Sequence, residues 1–356
     1  MRYKIICFLL LMQVIILAGR TKALWVPAWE LADAENIDEL IREADKNGID
    51  QILAEVRYRG DALYFPNKSD ATFPNPEQRS YLLKNNPEFD PLAYLIEKTA
   101  GKKIQIHAWL TIFVTTLHDQ AKMDSSNVYY RHPEWVTRDY NRVIMPHNSY
   151  EGAYLDPGLP QVHLYLLNII LDIVKNYPVD GIHLDYIRYP DTQFGYNETA
   201  RNIYSFDVMF EDSRSWQYWK EEQVTSFVKK VSISLKNISP ETNLSAAVFP
   251  SIETARMKYS QNWMRWLKED YVDTIYLMTY TINNGDFRSI LEKISSQELN
   301  DRIITGLRAW HTGEGYAAEK INDKIKISRE LKFAGISLFS YTGIKQNDYF
   351  KELHIK

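Results

Sequence analysis

The chain has 356 residues, 45% hydrophobic and 25% charged, a balance that excludes a disordered or fibrous protein. A formal net charge of −4 excludes the basic footprint of a nucleic-acid binder. The single cysteine, Cys7, excludes a disulfide framework.

The N-terminus reads as a targeting segment. Arg2 and Lys4 precede an apolar run from Ile5 to Ala18, and Thr21-Lys22-Ala23 offers a small-residue cleavage site. Residues 1–23 are expected to be a signal peptide, leaving one domain over 24–356 without cysteine. The apolar run is short for a spanning helix, and no cysteine stands at the cleavage site to carry a lipid. The expected destination is the periplasm or the cell exterior, with no stable membrane span after cleavage and a monomer as the default state.

Short apolar runs then alternate with helical stretches. The strands are expected at Leu24–Trp29, Gln51–Val56, Ile104–Trp109, Gly181–Asp185, Leu244–Phe249, Thr274–Met278, Ile303–Leu307 and Ile336–Tyr341. Each is apolar and often β-branched, as strands buried on both faces should be. Asn36–Asn47 has helical spacing with Gly48 at the C-cap, Val162–Tyr177 is closed by Pro178, and Trp216–Lys236 is closed by Pro240. Eight strand–helix pairs predict a single (β/α)8 barrel of the TIM type. No Gly-rich phosphate loop follows a strand, which argues against a doubly wound sheet. Long connections are expected at 110–160 and 190–215, both leaving the strand ends where barrel enzymes build their sites.

Polar groups gather at those ends. The second strand runs into Glu55, Arg57, Arg59 and Asp61; the third carries His107 and Trp109; the fourth carries His183, Asp185, Tyr186 and Arg188. The fifth leads to Glu253, the sixth to Tyr280, the seventh to Trp310 and His311, and the eighth to Tyr341. A carboxylate at a buried strand tip is costly as mere structure, so Asp185 is the leading functional residue. Asp180 reads as a local cap or pair, and Asp156 as a turn residue. His183 shares a face with Asp185 and either braces it or acts itself. No HExxH motif or close ligand pair is present, although His107, His183 and Asp185 could meet in a fold. No metal or cofactor is expected. A serine triad lacks its G-x-S-x-G elbow.

The stretch Val179-Asp-Gly-Ile-His-Leu-Asp-Tyr-Ile-Arg-Tyr-Pro190 resembles the hallmark of the family-ten-like glycosyl hydrolases, a group of bacterial exported barrels. Ordered matches cover nearly the whole of 24–356: Leu24-Trp-Val, Glu55-Val-Arg-Tyr-Arg-Gly-Asp-Ala-Leu-Tyr64, Ile106-His-Ala-Trp109, Tyr154-Leu-Asp-Pro-Gly158 and Phe339-Ser-Tyr341. The position of Glu55 is more often Gln in that pattern. The resemblance implies glycoside hydrolysis on a TIM-like barrel, with peptidoglycan glycan strands as one substrate class. The fourth strand is also similar to the chitinase pattern D-G-x-D-x-D-x-E. There His183 replaces the middle Asp, and Ile187 stands where the acid Glu should be.

Glycoside hydrolysis usually needs two carboxyls flanking the scissile bond. Asp185 is expected to be the nucleophile or stabilising carboxylate, kept ionised by Arg188 and Arg57. Its protonated partner is expected to be Glu253 or, second, Glu55. A substrate-assisted route remains open, in which Asp185 orients an N-acetyl group and Tyr280 holds it. Trp109, Trp310, Tyr186 and Tyr341 are expected to stack on sugar rings, with His107 and His183 beside them. A carbohydrate-binding barrel without turnover and a metal-dependent hydrolase or deacetylase are the rival readings.

Overall fold

The computed structural model describes residues 20–210, 215–310 and 317–355. Eight parallel strands close into a barrel: β1 (Thr21–Val26), β2 (Gln51–Tyr58), β3 (Gln105–Thr111), β4 (Gly181–Asp185), β5 (Asn243–Val248), β6 (Thr274–Met278), β7 (Ile303–Arg308) and β8 (Gly335–Phe339). Each pairs with the next, and β1 pairs with both β2 and β8. The principal outer helices are α1 (Ala34–Asn47), α2 (Pro91–Thr99), α3 (Pro160–Asn176), α4 (Trp216–Ile238), α5 (Asn284–Ser295), α6 (Ala318–Glu330) and α7 (Tyr341–Asn347). This is the expected (β/α)8 barrel.

Local chemistry sets the element ends. Asp33 caps α1 by accepting the Glu35 and Asn36 amides at 2.8 and 3.3 Å, and Gly48 closes it in the left-handed region at φ 69°. Pro27 stops β1 three residues earlier than expected, and a 3-10 turn over Ala28–Glu30 follows. β8 ends at Phe339 because α7 starts at Tyr341. Gly181 opens β4 where a Cβ would run into the His107 ring.

Two apolar cores result. The larger lies between strands and helices. The smaller fills the barrel, with Ala23, Trp25, Leu53, Trp109, Ala247, Tyr276 and Ile304 in contact. Besides the two long connections expected, a third joins β2 to α2. Its prolines at 66, 74, 76 and 87 hide two short strands, Asp61–Ala62 and Gln78–Arg79, that extend the sheet beyond β2.

β1 takes in Thr21, Lys22 and Ala23, which pair with Gly335, Ile336 and Ser337. A cut after Ala23 would therefore remove half of the closing strand. A chain starting at Leu24 should melt roughly 5 °C or more below one starting at Arg20, since each lost ladder bond costs ~1 kcal/mol. Thermal unfolding followed by circular dichroism checks this.

Candidate active site

The strand tips at the C-terminal mouth carry two buried carboxyls. Asp185 ends β4 and is 7% exposed. Its Oδ2 accepts the Trp109 indole N–H at 3.1 Å, and its Oδ1 accepts the Tyr186 amide at 2.7 Å. The chain turns sharply there, with Tyr186 in the left-handed region at φ 51°. That turn sends Ile187 into the outer core and leaves Asp185 at the mouth. Burial pushes the Asp185 carboxyl up to about 6, opposed by the Tyr186 amide, by Arg188 and by the Trp109 N–H. Arg188 is the cation expected beside it. Its guanidinium lies 5.0–5.6 Å from the ring centres of Tyr154, Tyr186, Phe249 and Tyr259, and it pairs with Glu151 at 3.3 Å.

Glu55, on β2, is 4% exposed and accepts the Ala28 amide at 3.1 Å. Burial pushes its carboxyl up to about 8. The Ala28 N–H and the Arg59 charge pull it down, and the Asp185 charge pushes it further up. The two carboxyls are thus within each other's electrostatic reach, and their proton affinities differ in the sense that acid and base roles require.

Arg57 is not part of this pair. The register of β2 on β3 slips between Glu55 and Arg57: Glu55 aligns with Trp109, and Arg57 with Leu110. This bulge turns Arg57 to the opposite face from Glu55, against the alternation assumed from sequence. Arg57 is fully buried there. It pairs with Glu77 at 2.7 Å and donates to the carbonyl of Ile112 at 3.0 Å, while the Tyr165 hydroxyl donates to Glu77 at 2.8 Å.

The two histidines lie below the mouth, inside the barrel. His183 is enclosed; its Nε2 accepts the Trp25 indole N–H at 3.1 Å, and its Nδ1 meets the Ser245 hydroxyl at 2.9 Å. His107 contacts the Gln51 amide at 2.8 Å. Burial holds both rings neutral, with His107 pushed down to about 4. Their surroundings make them parts of the barrel floor rather than sugar contacts. Asp180 accepts the Ile106 amide at 2.8 Å, the local pairing expected of it. Asp156 accepts from Thr137 Oγ1 and from the Gly158 amide, as a turn residue does.

Trp109 is 3% exposed, so it positions Asp185 instead of offering a stacking face. Tyr280, Trp310 and Phe339 form an aromatic group at the mouth, with ring centres 5.1–5.5 Å apart. Tyr341 is elsewhere: it opens α7 and is buried beside the acidic residues of α1, away from the mouth. Glu253 sits in the first turn of the short helix Ile252–Tyr259 and is exposed to solvent. It lacks the dry surroundings that an acid at neutral pH needs, which Glu55 has. His311 lies outside the described residues.

Sequence reasoning missed Trp29 and Tyr58 at the mouth, and placed Arg59 there without a role. Trp29, 46% exposed, meets the Tyr58 ring edge-on at 6.1 Å, and the Arg59 guanidinium lies 5.3 Å from the Tyr58 ring centre. Trp29 carried a signal, being a tryptophan just past a strand and a proline. Among the described residues, no three His, Cys, Asp or Glu side chains gather at metal-binding distance.

Removing one partner of a buried ion pair leaves the other charge uncompensated. Arg57→Ala should therefore cost about 3–5 kcal/mol in denaturant unfolding. The double change Arg57→Met, Glu77→Leu should recover most of that loss.

The glycosyl hydrolase-like 10 family matches residues 12–332 of the chain. The glycosyl hydrolase YngK of Bacillus subtilis strain 168 is 23% identical over 306 residues, which cover 80% of this chain and 56% of YngK. The glycosyl hydrolase DigH of Escherichia coli K12 is 25% identical over 206 residues, covering 54% of this chain and 42% of DigH. The chain spans about half the length of these curated relatives. The glycoside hydrolase domain of PgaB (BpsB) from Bordetella bronchiseptica shares the fold, with a TM-score of 0.70 at 14% identity over 93% of this chain and 97% of that domain. A parallel eight-stranded barrel with a buried carboxyl pair at its mouth and a family match over most of its length lead to one conclusion: the chain belongs to the glycosyl hydrolase-like 10 family.

Proposed function

We propose that the protein hydrolyses glycosidic bonds in a polysaccharide, with Glu55 as the general acid and Asp185 as the carboxylate partner. The observation that carries this reading is the pair of buried carboxyls whose environments hold them at about 8 and about 6. At neutral pH Glu55 holds a proton to give to the leaving oxygen, and Asp185 is mostly ionised. As an ion it can attack the anomeric carbon, steady an oxocarbenium-like transition state, or orient a substrate acetamide. Tyr280 lies close enough for the Asp185 charge to act on its hydroxyl, which suits a group that holds the acetamide. Trp29, Tyr58 and Trp310 offer rings for sugar faces. A glycan containing N-acetylhexosamine, peptidoglycan foremost, is the substrate class, and action outside the cytoplasm follows from the basic and apolar leader.

The test is release of new reducing ends, read by mass spectrometry, from chitin oligomers and from peptidoglycan with and without its stem peptides. Asp185→Asn and Glu55→Gln should each lower turnover by at least 100-fold, whereas Glu253→Gln should retain it. Chelator should not change the rate. Binding without product on every glycan would overturn the reading in favour of a binding barrel.

The pH profile is a second check. Because the two groups titrate as a coupled pair, kcat/KM should rise through about pH 6 and fall through about pH 8. Stability should follow Glu55 as well. Its carboxyl keeps the proton in the fold up to about 8 but gives it up near 4.5 when unfolded, so the fold loses stability as pH rises between those values. Asp185 and Asp61, raised to about 6 and about 7, add declines of the same sign at lower pH, so melting of Glu55→Gln should show a shallower decline overall and lose the part between about pH 7 and 8.

A further inference from the structure

Arg59 is the one arginine of the β2–β4 mouth whose charge is not taken up by the fold. Arg57 is paired with Glu77, and Arg188 with Glu151. The Arg59 guanidinium makes no ion pair or hydrogen bond with any described residue; it lies 5.3 Å from the Tyr58 ring centre. It is nonetheless half-buried and fixed at its base. The Arg59 amide donates to Thr111 Oγ1 at 2.8 Å. Tyr58 and Asp61 pair across a two-residue turn in which Arg59 has φ 56° and Gly60 φ 87°. Such turns favour Asn, Asp or Gly at both central positions. An arginine there accepts backbone strain, and strain of that kind is found where a side chain is needed in place. Gly60 has no room for a Cβ, which would come within 3.0 Å of Thr115 and Asn127. The turn is packed down, and its guanidinium is held above the mouth.

Its surroundings suit an anion on a sugar. The Arg59 charge acts on Glu55, Tyr58, Tyr81 and Tyr186, so it lies among the acid and three phenol rings. Glu55, the acid its charge acts on, is itself pushed up toward neutrality by burial, and no carboxylate of the described residues pairs with the guanidinium. Trp29 and Tyr58 provide ring faces at the same edge. A guanidinium with all of its donors free matches a carboxylate in two-point geometry.

We propose that Arg59 binds a free carboxylate carried by the glycan, next to the sugar whose leaving oxygen Glu55 protonates. This rests on the functional reading above and names the feature of the substrate that the site selects. The carboxylate can come from a uronic acid or from the carboxyalkyl ether of N-acetylmuramic acid. A stem peptide linked to the latter would consume it.

Binding separates this idea from the question of turnover. The probes are chitin oligomers, stem-free glycan fragments containing N-acetylmuramic acid, the same fragments with the carboxyl reduced to an alcohol, and oligomers of a hexuronic acid. Affinities are measured by calorimetry on an otherwise native chain and on Arg59→Asn and Arg59→Lys. Asn suits the left-handed turn, so Arg59→Asn should melt no lower than the parent, which guards against a folding artefact. The preference for carboxylate over reduced fragments should fall at least tenfold in Arg59→Asn and be partly restored in Arg59→Lys. The arm that shows the preference identifies the source of the carboxylate. Equal affinity for acidic and reduced fragments in the parent chain, or an undiminished preference in Arg59→Asn, would overturn the assignment. Tight carboxylate-selective binding without turnover would instead count against the hydrolase reading alone.

Discussion

The site depends on a one-residue slip in β2. Two side chains two positions apart on a regular strand face the same way. Were β2 regular, Arg57 would stand beside Glu55 inside the barrel, and a full positive charge at that range would strip the proton that an acid must keep. The bulge at Val56 sends Arg57 outward to Glu77 and leaves Glu55 with only a backbone amide and the more distant Arg59. The separation also serves stability. Arg57 ties β2 to the segment after β3 through the carbonyl of Ile112, and the Glu77 it pairs with comes from the long β2–α2 connection. One irregularity thus yields both a dry acid and an anchor for the loops that surround it.

Below the carboxyls several polar groups pair with one another inside the barrel, although His107 Nδ1 is left without a partner. Trp25 donates to His183, which meets Ser245; Gln51 meets His107 and accepts from the Tyr276 hydroxyl. Buried polar groups of this kind cost free energy unless paired, and paired ones restrict the core to a single arrangement. The pairing fixes Trp25, whose ring touches Tyr280 and Phe339 at the mouth. Side chains that never touch the sugar thereby hold the aromatic surface that would.

The fold was legible because its signals are local and repeated. Short β-branched runs between amphipathic helices leave few architectures, and β4 and β6 fall where the apolar pattern puts them. Asp185 was legible for a related reason: a carboxylate at the tip of an apolar run has few structural uses. What stayed hidden required knowledge of register or of a boundary. The slip between Glu55 and Arg57 has no composition signal, so the two were assigned the same face. The end of β8 at Phe339 moved Tyr341 out of the mouth, and the short helix after Ser251 carried Glu253 into solvent. The histidines look identical in sequence whether they bind a sugar or a tryptophan. Arg59 was in view all along, but only its backbone angle and lack of a partner distinguish it from Arg57.

The rings around Arg188 have a consequence for how the site responds to its medium. Exposed charges are screened by dissolved ions over about 8–10 Å at ordinary ionic strength, whereas buried ones are screened much less. Arg188 is 4% exposed and walled by Tyr154, Tyr186, Phe249 and Tyr259, so salt has little access to the space between it and Asp185. Arg59, half-buried at the edge of the mouth, is less enclosed. The two cations would therefore part company in brine: the one that helps keep Asp185 ionised holds its influence, and the one facing the incoming chain loses more of its own. A marine or concentrated environment would loosen the grip on an acidic glycan long before it disturbed the chemistry at the bond.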